Sequence, residues 1–169
     1  MSFFAKFAMV ASFLIFSIDM TYLWVGQIAG WHNEIWSMFD FPPQESAPPL
    51  WSLLVGVVIS VFGLTCLAMT YSGIWQILNG GPGQDFRDLA RRMRRIGFGL
   101  IGFWAAYNLL VGLLPWLITA NLSDRSDFDF VWDPLDIDLL ILLMGIAILA
   151  ISQTLRRAWE AEEENNAFL

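Results

Sequence analysis

Side chains able to do chemistry are few in this chain and widely spaced. Asp19 is the one acid inside an apolar stretch and far from the basic clusters. If its span runs from residue 7 to 29, the carboxylate stands near the bilayer centre. A charge there costs about 2.5–3.5 kcal/mol on insertion scales. Such a residue should face the bundle and pair or be protonated, which would suit proton or ion coupling. If the span ends near Met20, Asp19 is instead an interfacial acid capping a surface helix, and this is the preferred reading. The other apolar segments hold no deep ionisable residue, which argues against a proton relay. His32 is the only histidine and falls in an expected loop beside Trp31, so it reads as a surface residue. No haem or chlorophyll ligand is expected, and no cofactor.

Other constellations dissolve on inspection. Asp124, Asp127, Asp129 and Asp133 gather carboxylates of the kind Ca²⁺ prefers, but without the glycine and closing Glu of an EF-hand loop. Asp133, Pro134 and Asp136 are accounted for as N-cap, N1 and N3 of a helix start. Gly80-Gly81-Pro82-Gly83 lacks the Gly-Lys-Ser/Thr of a phosphate loop, and its proline removes an N–H donor, so it reads as a turn. Cys66 is the single cysteine and sits in an apolar run, as a small packing residue. With no catalytic constellation, the chain is expected not to be an enzyme.

Two patterns remain. Arg87, Arg91, Arg92, Arg94 and Arg95 form a basic helical lead-in, with Arg87, Arg91 and Arg94 on one side and Asp85 and Asp88 diluting the charge at its start. Anionic lipid headgroups are the simplest partner, at about 1 kcal/mol per basic residue near the surface; nucleic acid is not expected. Small residues at spacing four, Gly56 with Ser60 and Gly102 with Ala106, permit close helix contact in a bilayer.

The elements that must position these residues follow from composition. Of 169 residues 57% are hydrophobic and 15% charged, with nine Trp and fourteen Phe, against about 25% charged in soluble domains. The fold class is therefore all-α: an integral membrane four-helix bundle forming one domain over residues 1–169, with spans at about 7–29, 51–78, 96–120 and 134–155 and a polar tail at 156–169. Each has the roughly 20 apolar residues a crossing needs, and what is left over is too short for a separate soluble domain. The first segment has only Lys6 as a basic leader, no evident cleavage site and an apolar stretch too long for a secretion signal, so it is read as a retained span. The run Trp24, Ile28, Trp31, Ile35, Phe39 allows a short interfacial helix in the first outer loop. Placing both termini in the cytoplasm keeps eight of the nine basic residues inside, leaving only Arg125 outside. Trp31, Trp36, Trp51, Trp116 and Trp132 then fall at outer ends, and Trp75 and Trp159 at inner ends.

The order of features, with the Gly-rich turn after span two, Arg94-Arg95-Ile96-Gly97 leading into span three, and Leu155-Arg156-Arg157-Ala158 followed by Glu162-Glu163-Glu164-Asn165, resembles a bacterial family of four-span membrane proteins catalogued as domain of unknown function 2975. The ending Asn165 to Leu169 and the long Trp-rich first outer loop depart from that pattern. The resemblance implies the four-span fold and a bacterial inner membrane, and carries no catalytic residues. The expected function is a non-catalytic accessory or scaffold subunit packing against other subunits of a larger membrane complex. The alternatives are a sensor or regulator relaying a signal to a cytoplasmic partner and, third, a small transporter coupled through Asp19.

Overall fold

The computed structural model describes residues 2–30, 48–80, 85–119 and 139–167. Among them are four α-helices and no strand: α1 (Ser2–Ile28), α2 (Leu50–Leu78), α3 (Phe86–Ile118) and α4 (Leu139–Ala167). Each is long and apolar enough to cross a membrane. His32, the acidic segment Asp124 to Asp133, the helix start at Asp133, Pro134 and Asp136, the expected surface helix after Gly30, Trp31, Trp36, Trp132 and Gly81 to Gly83 lie outside the described residues.

Local chemistry sets the helix ends. α1 closes with Ala29 N–H on the Val25 carbonyl (2.8 Å), followed by Gly30 at φ +90°, a left-handed position that suits glycine. Pro49 stands at the N-cap of α2, and the Ser52 hydroxyl donates back to its carbonyl (2.7 Å). Asp85 caps α3 by accepting from Arg87 N–H at 3.1 Å, so this acid is a helix cap as well as a counter-charge. The basic lead-in is thus the first turns of α3. Pro115 lies in the last turns of α3, where it withholds one N–H from the ladder. α4 runs unbroken from its apolar part through Arg156, Arg157 and the acidic residues after them.

The helices pack antiparallel in chain order, α1 on α2, α2 on α3, α3 on α4; among the described residues the backbone of α4 comes close to that of α3 alone. The bundle is therefore open. The α2 face that packs inward is made of small and weakly polar residues, Ser52, Gly56, Ser60, Gly63, Cys66, Thr70 and Gly73, with only Leu53 bulky. Lipid tails are as apolar as leucine, so association in a bilayer rests on close packing and interhelical bonds, both of which small residues allow. A Cβ on Gly99 of α3 would stand 2.7 Å from the Cys66 carbonyl oxygen, and one on Gly97 would stand 2.9 Å from the carbonyl of Gly145 in α4. Glycine is required at both seams by the approach of the neighbouring backbone.

The two small-residue pairs behave differently. Gly102 faces Cys66, and Ala106 lies 3.2 Å from where a Cβ on Gly63 would stand, so both belong to the α2–α3 seam. Gly56 and Ser60 form a notch filled by an indole: the Trp24 ring of α1 lies across Gly56 while its Nε1–H donates to Ser60 Oγ at 3.0 Å. A large side chain, and not a second helix backbone, occupies that notch.

Candidate functional site

Contacts across the seams bring Lys6, Arg87 and Arg92 to one end of the bundle. Lys6 Nζ donates to Asn79 Oδ1 (2.5 Å) and stands 5.3 Å from the Trp75 ring centre. Arg92 donates to the Gln76 carbonyl (2.6 Å), and Arg87 lies 5.0 Å over the Trp159 ring. The start of α1, the end of α2, the start of α3 and the polar part of α4 therefore share one level, with two indoles at that level.

The five lead-in arginines divide into separate tasks. Arg92 satisfies a carbonyl near the C-terminus of α2, where cations are favoured. Arg87, Arg91 and Arg94 share the side that meets α4, as their spacing predicts. There they line a cleft of about 240 Å³ together with Ala90 of α3 and Ser152 and Arg156 of α4. Arg156 was not among the candidates drawn from the sequence; the only available signal was its position beside Arg157 at the end of an apolar run. Ala90 is buried and leaves room at the base of the cleft, and Ser152 donates to its carbonyl at 2.8 Å, tying α4 to α3. Arg91 pairs with Asp88 at 3.6 Å and Arg156 with Glu160 at 3.3 Å, both on exposed side chains. Arg95 lies outside the cleft, on an adjoining shelf with Gln76, Asp88, Arg91 and Arg92, so that Arg91 borders both.

Asp19 stands apart from these. It lies two-thirds of the way along α1, which runs without a break past Met20 to Ile28, so no separate helix starts at Asp19 for it to cap. Nor does it turn into the bundle: it is exposed, on the face that carries Phe4, Phe7, Ile15, Ile18 and Val25, and among the described residues it makes no ion pair. The inward side of α1 is held by Trp24 in its notch, by Phe13 edge-on to Tyr71 (6.0 Å) and by Phe16 edge-on to Phe103 (5.8 Å). An apolar groove of about 280 Å³ opens between α1 and α2 beside Phe13, Tyr71 and Trp75; its Tyr71 hydroxyl is already shared with Ser12 at 2.9 Å. Among the described residues no three His, Cys, Asp or Glu side chains come together as a metal ligand set.

Compared with family models, curated proteins and solved structures, the chain matches none of them.

Proposed function

We propose that this four-helix membrane protein is a non-catalytic accessory subunit that packs against other subunits of a larger complex through the outer face of α1. The observation that carries the reading is Asp19. Along α1 it lies about 20 Å from Lys6 at about 1.5 Å per residue. With Lys6 at one boundary of a hydrocarbon layer about 30 Å thick, the carboxylate sits about 10 Å inside the other. It points away from the chain's own helices, where lipid offers it nothing to pair with. A neighbouring span that presents a lysine, an arginine or a hydroxyl at that depth removes the penalty. The open bundle supports the same reading, since α1 touches only the α2–α3 side and α4 packs on α3 alone.

The host membrane in this proposal is the bacterial inner membrane, with both termini cytoplasmic. Gathering of Lys6, Arg87 and Arg92 at one end supports that orientation. Membership of the four-span family named above is part of the same proposal. One observation favours the sensor reading as the second choice: α4 is continuous, so any shift of its span moves Glu160 to Glu164 with it. An outward-facing Asp19 does not favour a transporter, whose coupling acid has to face a path between helices.

Native electrophoresis in mild detergent tests the proposal. The wild-type chain should migrate with partners well above its own 19.2 kDa. Asp19→Leu should release it as a smaller species with unchanged unfolding, because Asp19 makes no ion pair among the described residues. A wild-type chain that runs as a free monomer, or an assembly indifferent to Asp19→Leu, would refute it.

A further inference from the structure

We infer that the α3–α4 cleft binds a phosphate-bearing headgroup, held among Arg87, Arg91 and Arg94 of α3 and Arg156 of α4. Topology alone asks only for positive charge near the ends of spans. It does not require guanidiniums far apart in sequence to converge on one opening. Here the convergence is built by packing, with Gly97 against Gly145 and the Ser152 bond to the Ala90 carbonyl drawing Arg156 onto the α3 stripe.

The lining sets the chemistry. The cleft is lined by four guanidiniums and by no acid, whereas the adjoining shelf, which shares Arg91 with it, is lined by Asp88 as well, and its Arg92 is occupied by the Gln76 carbonyl. Guanidinium forks match phosphate oxygens in paired hydrogen bonds. The ion pairs that occupy Arg91 and Arg156 are exposed and weak, so they yield to a phosphate. At about 240 Å³ the cleft lies below the roughly 300–1,000 Å³ of drug-sized pockets, which suits a headgroup better than a large cofactor. The Trp159 indole beneath Arg87 belongs at the headgroup level of a membrane, where a lipid phosphate also sits. A phospholipid and a soluble phosphate ester share this chemistry.

The test uses the full chain purified in mild detergent with an equimolar mixture of phosphatidylglycerol and phosphatidylcholine, read by native mass spectrometry. Wild type should retain phosphatidylglycerol in preference. The double variant Arg94→Gln with Arg156→Gln should lose roughly tenfold or more of that preference, the scale set by two basic residues at an anionic surface. The shelf variant Arg95→Gln should keep most of it. In a second arm millimolar glycerol phosphate is added. Displacement of the lipid identifies a site satisfied by the phosphate alone, and retention identifies one that also needs the acyl chains; either supports the cleft. Equal losses in the cleft and shelf variants, or no preference in wild type, overturn it. If the Gln pair fails to fold, Arg94→Lys with Arg156→Lys keeps the charge and removes the forks. An intact preference in that variant also overturns the proposal.

Discussion

Replacing Gly99 by alanine tests the account of the α2–α3 seam directly. The new Cβ would overlap Thr70 Oγ1 and stand 2.7 Å from the Cys66 carbonyl oxygen and 3.0 Å from Thr70 N. Ordinary contact begins near 3.4 Å, so the two helices must part by about 0.7 Å locally. Rotating Thr70 gives no relief, because its hydroxyl is bonded to the Cys66 carbonyl at 3.1 Å and the backbone atoms cannot move aside. Overpacking of this kind costs about 1–3 kcal/mol. Alanine recovers up to about 1 kcal/mol of helix propensity over glycine, and the full gain would leave a net loss of about 0–2 kcal/mol. Gly63→Ala, in the same seam, is the matched control: its Cβ would meet only the Ala106 Cβ, at 3.2 Å, which a shift of a few tenths of an ångström relieves. The propensity gain is common to both variants and drops out of their difference. Unfolding by dodecyl sulfate in mixed micelles, followed by circular dichroism, should therefore place Gly99→Ala about 1–3 kcal/mol below Gly63→Ala. Equal stabilities, or the reverse order, would show that the backbones do not approach as described.

Further outcomes follow from the other contacts. Trp24→Phe keeps the ring over Gly56 and removes the bond to Ser60, and Ser60→Ala removes it from the other side; a double-mutant cycle should return a coupling of about 0.6 kcal/mol, at most about 1.7. A coupling of zero would mean that the indole is not seated in the notch. Cys66 is buried in the seam beneath Gly102, so a maleimide should leave it unlabelled in mild detergent over a time that labels it fully in dodecyl sulfate. Rapid labelling in mild detergent would contradict the packing of α2 on α3.

Much of the architecture is legible in the sequence. Four runs of about 20 apolar residues can only be helices if their backbone groups are to be satisfied in lipid, and the helices Ser2–Ile28, Leu50–Leu78, Phe86–Ile118 and Leu139–Ala167 stand where those runs lie. Spacing also placed Arg87, Arg91 and Arg94 on one side of α3, since i, i+4 and i+7 recur on one helical face, but it did not set apart Arg95, which stands four residues after Arg91. The face by which α2 packs was much less legible. In water a buried face announces itself by being apolar beside a polar one, whereas α2 is apolar all round and its inward side is distinguished only by being small. Gly56 with Ser60 looked like a site for a neighbouring backbone because spacing records size and not occupant; Trp24 took the place instead.

The same distinction divides the candidate sites. Local composition determined that the chain is a four-helix membrane protein with a basic segment leading into its third helix, because hydropathy and charge are properties of consecutive residues. Tertiary structure alone decided that Arg156 closes a cleft with Arg87, Arg91 and Arg94 while Arg95 does not, and that Asp19 faces outward. Those facts depend on how far helices rotate and how closely they approach. That is set by glycines such as Gly97, Gly99 and Gly145 meeting backbone far away in the chain.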